Sequence, residues 1–459
     1  VAADAQNING RTSGATATAA AAGIVQIVGT TFFDFTFANP ETAIASVTNS
    51  GLIDVRANAR ANMGATDATG FSVTFAADAF AIGVSQYATG DNNAEARVNN
   101  SGPIDVAAVA LASALTQRAQ ATATAQGIFQ DVDVVFGDDP DEGGNIARAQ
   151  VDNSGGLIRV AATASAFQDL VGFTTAGAGT LTFGFHSAFA TANAGGIQQI
   201  VELLDGTSAI AVFNNAVVGT GTAAAIGVLS VAANALASGV DADAFAFATG
   251  VDQFVSAVDL TNAANASAAV DNDGIINVAA NATAIVDQAT TGSTAFASAG
   301  AEGIIQDVFG QTAGDAVVNN GGTLNVAAHA VASIIANTYV DTDFTTIGGN
   351  GPYTITAQFA VGDAIANADA EGVDQDVLAG LTASAVVDNS GIIDVQATAD
   401  ASVPTFAPDD FDSDGTPNRA EANADATGIN QYADAGFGFG PTTAGDLARA
   451  IFVNTDTAE

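Results

Sequence analysis

Ala119-Gln120-Ala121-Thr122-Ala123-Thr124-Ala125-Gln126-Gly127-Ile128-Phe129-Gln130 decides how this chain folds. Up to Ala125 every second residue is alanine, and the residues between are polar. Period two is the pattern of a β-strand with one face turned inward, here the face carrying the smallest side chain. At Gly127 the phase changes, and the regular positions become Ile128 and Gln130. A glycine at a phase change implies a bulge or corner. Gln130 is thereby expected to point into the core beside Ile128.

The stretch is one of a series. Gly-Ile/Val-x-Gln recurs at Gly23–Gln26, Gly83–Gln86, Gly127–Gln130, Gly196–Gln199, Gly250–Gln253, Gly303–Gln306, Gly372–Gln375 and Gly428–Gln431. A second motif, Ala-x-Ala-x-Val/Phe-x-Asn, alternates with it and places Asn49, Asn100, Asn153, Asn215, Asn272, Asn320, Asn389 and Asn454. Two alternating motifs mean one supersecondary unit stacked on itself, which is a solenoid. Inward glutamines repeated at about 4.8 Å, the spacing of neighbouring strands, can bond to one another as a ladder.

The asparagine motif reads as a second strand, with Ala94, Ala96, Val98 and Asn100 on one face. Ser101-Gly102 is turn chemistry. A third strand follows with Ile104, Val106, Ala108 and Ala110 inward, repeated as Ile53/Val55/Ala57, Ile276/Val278/Ala280, Leu324/Val326/Ala328 and Ile393/Val395/Ala397. The third repeat carries an extra residue at Gly156, and in the fourth an insertion separates Asn215 from Leu229 and Val231. Alanine favours helices, but the apolar spacing is two, β-branched residues hold the anchor positions, and Gly and Asn-Ser-Gly interrupt every candidate helix. The fold expected is all-β: a parallel β-helix of about eight three-stranded rungs over residues 1–459 as one continuous solenoid. Its axis would measure roughly 38 Å at the strand spacing. Long excursions are expected between rungs, with hairpins at Asp343–Ile347 paired to Tyr353–Phe359 and within Leu170–Phe185. For the phenylalanines of such excursions, Phe32, Phe33, Phe35 and Phe37 among them, two readings stay open: lateral cover of the rungs, or contact with a neighbouring molecule.

Composition narrows the function. The net charge is −40, with nine arginines and no lysine. Nothing in such a surface could neutralise phosphates, so nucleic acid is excluded as a partner, and cations are the natural counterpart. Apolar residues make up 48% of the chain, enough for a core. There is no cysteine, hence no disulfide or thiolate metal site. No apolar run is long enough to span a bilayer, so membrane insertion is not expected. The first residue is valine, which reads as a processed or trimmed start.

The two ends match. The last asparagine motif ends at Asn454, and the chain stops one residue short of completing the third strand. Val1, Ala3 and Ala5 supply that strand at the right parity. No polar capping unit is visible at either end, whereas solenoids ordinarily block their edges. A contact of this kind repeats without closing and builds a filament, so the expected partner is the chain itself, stacked head to tail.

One chemical motif is specific. Asp410, Asp412, Asp414, Thr416, Asn418 and Glu421, with Gly415 at the sixth position, fit the twelve-position calcium loop. The segment resembles EF-hand-like and thrombospondin-type calcium loops, although Glu421 opens a strand here and not a helix. Ca2+ is the expected ion. Asp138, Asp139, Asp141 and Glu142 form a weaker candidate. Outward-facing Asp54 and Asp105 should stack close together and repel, a cost that bound cations or salt would relieve. Catalysis is not expected: His186 and His329 have no nucleophile pattern beside them, and sugar-cleaving enzymes need carboxylate pairs or a calcium-plus-basic-residue groove, whereas the arginines here are scattered and lysine is absent. An ice-binding face is not expected either, since Thr16/Thr18 and Thr122/Thr124 do not continue into neighbouring repeats.

Asn-Ser-Gly-x-Ile-Asp-Val followed by Ala-x-Ala-x-Ala and Gly-Ile-x-Gln resembles the large Ala/Gly-rich β-solenoid surface proteins of proteobacteria, including autotransporter-like passengers and adhesins. The resemblance covers nearly the whole chain, and its motifs are structural. It implies an extracellular or cell-surface location. The function expected is a structural one, a stacking subunit or segment of a bacterial surface filament stabilised by calcium, with other cell-surface or matrix components as further partners. The alternative is an adhesin or passenger stalk that displays binding loops.

Overall fold

A computed structural model describes residues 2–7, 15–29, 42–62, 74–114, 118–134, 145–168, 187–204, 206–219, 224–258, 264–287, 293–335, 338–341, 355–358, 362–403, 419–436 and 447–455. Among them there is no helix. Three parallel sheets wind about one axis, as the alternation of motifs requires. The glutamine sheet stacks Ala15–Val28, Thr74–Gly90, Arg118–Val134, Ser187–Leu203, Asp241–Ala257, Ser293–Gly310, Gly362–Ala379 and Ala420–Ala435 in chain order. The asparagine sheet stacks Thr42–Asn49, Asn93–Asn100, Ile146–Ser154, Ser208–Val218, Asn265–Asn272, Ala313–Asn320, Thr382–Asn389 and Leu447–Asn454. The return sheet stacks Ala2–Asn7, Ile53–Asn62, Pro103–Ala114, Leu157–Gln168, Val228–Gly239, Ile275–Val286, Thr323–Ile334 and Ile392–Ser402.

Register follows the motifs without slippage. Gln130 pairs with Gln86 on one side and Gln199 on the other, and Asn153 with Asn100 and Asn215. Alternate residues are fully buried: Ala119, Ala121, Ala123 and Ala125 on one strand, Ala188, Ala190 and Ala192 on the next. A one-residue slip would expose all of them, so burial holds the register.

Each glutamine strand serves two cores. Before the repeated glycine its alanines pack against the return sheet, Ala121 and Ala123 sharing a core with Ile158, Val160 and Ala162. After the glycine, Val132 and Val134 pack against Ala94, Ala96, Ala147 and Ala149 of the asparagine sheet. The phase change redirects the strand from one core to the other, and it needs glycine for space. A Cβ on Gly127 would lie 2.5 Å from the Gly196 carbonyl oxygen and 2.7 Å from Val160 Cγ2. The backbone ladder skips the glycine and resumes at Ile128, paired with Ile197, as a bulge requires.

The irregular repeats regain phase by visible devices. Gly155 adopts φ +69°, which takes up the extra residue of the third repeat, and Ile158 then pairs with Ile104. In the fourth, the insertion folds back as a short antiparallel pair, Val217 with Ile226 and Val218 with Ala225, before Leu229 rejoins Ile158. Of the hairpin expected between Asp343–Ile347 and Tyr353–Phe359, only Ile355–Gln358 falls within the described residues. Thr338–Asp341 pairs antiparallel with Ile355–Gln358. Pairing begins at the base, close to where the chain leaves the return sheet at Ile334, because a pair near the base joins two points that the rungs already hold close together. Leu170–Phe185 and Phe32–Phe37 lie outside the described residues.

Candidate functional site

The features with most bearing on function are two columns of amides in the interior. Seven glutamine–glutamine bonds link Gln26 through Gln431, from Gln86 Nε2 donating to Gln26 Oε1 at 2.7 Å to Gln431 Nε2 donating to Gln375 Oε1 at 2.8 Å. Each Nε2 spends its second proton on a backbone carbonyl of the asparagine strand, as Gln130 does on Gln150 O at 3.2 Å and Gln199 on Val212 O at 3.1 Å. Gln86, Gln130, Gln199, Gln253, Gln306 and Gln375 are completely buried. All their donors are thereby satisfied, which is what a buried amide requires.

The asparagines form the second column. Asn49 Nδ2 donates to Asn100 Oδ1 at 2.8 Å, and the series continues to Asn320, which donates to Asn389 at 2.7 Å. The last bond, Asn389 to Asn454, is longer at 3.4 Å. The second proton goes to the start of the following return strand, for example from Asn215 to Ile275 O at 3.2 Å. The asparagine column therefore ties the corner between two sheets. Shorter external ladders supplement it, including Asn325 to Asn277 at 2.8 Å and Asn281 to Asn234 at 3.0 Å.

The outer surface of the glutamine sheet is acidic and aromatic. Glu302 stacks on Glu371 and Asp307 on Asp376 in register. Burial raises the pKa of all four, and neighbouring carboxylates add to the effect for Glu302, Asp307 and Glu371. Asp133 is the extreme case: burial, then Asp131 and Glu202, push its carboxyl up to about 7. The folded state holds that proton while the unfolded chain, with an ordinary carboxyl at 3.8, has released it. Stability therefore falls as pH rises from about 4 to about 7 and levels off above. Asp133→Asn is expected to raise the melting temperature by a few degrees at pH 8 and to change it little at pH 4, read by circular dichroism.

Aromatic rings run diagonally across the same surface. Phe189 meets Phe245 at 5.3 Å between centroids, Phe245 meets Phe296 at 5.4 Å, and Phe254 meets Phe309 at 5.6 Å. These rings belong to the rung strands themselves and pack on one another across neighbouring strands.

Of the residues proposed from sequence as calcium ligands, Asp410, Asp412, Asp414, Thr416 and Asn418 lie outside the described residues, as do Asp138, Asp139, Asp141, Glu142 and His186. Glu421 is described. It opens Ala420–Ala435, forms an ion pair with Arg419 and accepts from Asn423 Nδ2 at 3.0 Å. Among the described residues no group of three or more His, Cys, Asp or Glu side chains could hold a metal. His329 is exposed, as expected, 3.7 Å from Asp400. Asp54 and Asp105 do stack in register, but protein cations lie beside them: Arg56 bonds Asp54 at 2.8 Å and Arg159 reaches Asp105 at 3.4 Å. Relief is supplied within the chain, by Arg56 two residues along the same strand as Asp54 and by Arg159 on the strand stacked against Asp105. Among the described residues no helix is long and apolar enough to cross a membrane. No family model matches the chain, and comparison with curated proteins and with solved structures finds no match.

Proposed function

We propose that this chain is a structural, non-catalytic protein of the bacterial cell surface, a head-to-tail stacking subunit or segment of an extracellular filament. The observation that carries the reading is the glutamine column, which is satisfied at every interior level and runs from Gln26 to Gln431 without a break. Such a column adds axial cohesion to the three backbone ladders and gives no opening for a substrate. A surface of net charge −40 stays hydrated and repels its neighbours sideways, which favours growth along the axis over lateral clumping. Electron micrographs of the native material test the reading. Regular fibres with continuous strand stacking at about 4.8 Å along the axis are the expected result; isolated globular particles would sink it.

The alternative, a stalk displaying binding loops, draws support from the excursions. The hairpin of Thr338–Asp341 and Ile355–Gln358 leaves the rungs, and the short pair after Asn215 carries exposed Val217, Val218 and Ile226. Tethered single rods in the same micrographs would favour it.

Calcium belongs to this proposal as a loop stiffener at Asp410, Asp412, Asp414, Thr416, Asn418 and Glu421. Glu421 opens a glutamine-sheet strand, so an ion held there would fasten the loop to the rung. Chelation should lower the melting temperature by several degrees and restore it on adding excess calcium; an identical melt with and without chelator would remove the ion from the account.

A further inference from the structure

The sideways repulsion that the net charge imposes is not uniform around the solenoid. The outer face of the glutamine sheet carries Asp131, Asp133, Glu202, Asp252, Glu302 and Asp307. The outer face of the return sheet differs over five successive strands, Pro103–Ala114, Leu157–Gln168, Val228–Gly239, Ile275–Val286 and Thr323–Ile334. Its titratable groups there are Asp105, Arg159 and His329, and the first two meet each other at 3.4 Å near one corner. Leu111, Leu157, Phe167, Leu236, Ile285 and Val331 face outward on these strands. Charge returns on the strand to either side, as Asp54, Arg56 and Arg60 in Ile53–Asn62 and as Asp394 and Asp400 in Ile392–Ser402. A centre depleted of charge inside a charged rim is the anatomy of a protein interface.

The face is also prepared for the loss of water. Asn281 donates to Asn234 at 3.0 Å and Asn325 to Asn277 at 2.8 Å, so these amides already bond along the sheet. Covering them therefore strands fewer donors. Each of the five strands has twelve residues. At about 3.3 Å per residue and about 4.8 Å per strand the face measures roughly 950 Å², against the about 800 Å² that each partner contributes to a stable complex.

We propose that this face binds the same face of a second copy of the chain, the two solenoids lying side by side with their axes parallel. Such pairing needs no axial stacking and adds a lateral contact to the filament reading above. Shape selects the partner and its direction. A column of alanines, Ala107 to Ala327, runs beside a column of larger side chains, Val109 to His329. A two-fold axis between these columns, parallel to the solenoid, seats the larger column of each copy in the alanine groove of the other, level by level. With the axes antiparallel, alanine would face alanine across a gap. The acidic glutamine face lies outside the contact and still repels, so association stops at two copies.

Sedimentation velocity of the full chain over rising concentration, with salt to screen the residual repulsion, should show twice the mass of one chain. Leu236→Asp puts an unpaired carboxylate in the middle strand of the face and should weaken pairing at least about tenfold. Thr191→Asp adds the same charge on the glutamine face and should leave pairing unchanged. Val109 is 38% exposed, so Val109→Cys should fold as the parent does. The chain has no other cysteine, and a short bis-maleimide should join two copies through that thiol. A parent that stays single at every concentration, pairing that Leu236→Asp leaves intact, or no joined product from Val109→Cys would overturn the proposal. Single-width fibres in native material would overturn it and leave the filament reading standing; paired rods that never lengthen would do the reverse.

Discussion

Gln199→Leu is expected to destabilise the middle of the solenoid by about 3–6 kcal/mol, since it strands three buried groups at about 1–3 kcal/mol each, less a modest apolar gain. Gln253 Nε2 loses its acceptor, Gln130 Oε1 loses its donor, and Val212 O loses the side-chain proton it receives at 3.1 Å. The two amide groups lie where water does not reach, because Gln130 and Gln253 have no exposed surface, and the carbonyl lies on part-buried Val212. The same change at Gln431 should cost far less, under about 2 kcal/mol, because that residue is only partly buried. A second substitution beside the first, Gln130→Leu with Gln199→Leu, should cost less than the two separately, because the bond between them is lost only once. A stacked repeat need not unfold in one step. Hydrogen exchange resolved by level is therefore the right measurement, and the loss of protection should centre on Ser187–Leu203 and its two sheet neighbours. Equal protection in Gln199→Leu and the parent would mean that the column contributes no stability.

The strand pattern, the corner at each repeated glycine and the inward glutamine were legible because each is a local statement about parity. Ala119–Ala125 alternate, Gly127 shifts the phase, and Gln130 must then share the face of Ile128; stacking turns these into buried positions with no further information. What sequence could not supply was every property set between rungs. Arg159 meets Asp105 of the neighbouring rung only after the register is known. Thr338–Asp341 pairs with Ile355–Gln358 close to the rung end at Ile334, a position that the fixed rungs decide. The opposed direction of the two amide columns depends on which backbone carbonyl each side chain finds. Glutamine reaches a neighbouring asparagine strand, whereas asparagine, one methylene shorter, reaches the return strand beginning on the next level. Neither choice is written in the spacing of the motifs.

Gly127→Ala should be strongly destabilising for a change of one methyl group. The new carbon would sit 2.5 Å from the Gly196 carbonyl oxygen and 2.7 Å from Val160 Cγ2. Neither can yield cheaply. The carbonyl belongs to the backbone of the adjacent strand, and Val160 is fully buried against the alanines of the glutamine sheet. Inserting one methylene into a packed core costs about 1–3 kcal/mol, and a fixed backbone atom as the obstacle places this case at about 3 kcal/mol or more. The change also attacks the point where the strand passes from one core to the other, so it disturbs both the packing against Ile158 and Val160 and the seating of Gln130. Because each rung touches only its neighbours, the damage should appear as a local opening between the levels of Arg118–Val134 and Ser187–Leu203, with distant levels such as Gly362–Ala379 keeping their protection. Limited proteolysis should then cut Gly127→Ala near this level under conditions that leave the parent intact. Resistance equal to the parent's would show that the bulge can widen, and that glycine at this position answers to something other than space.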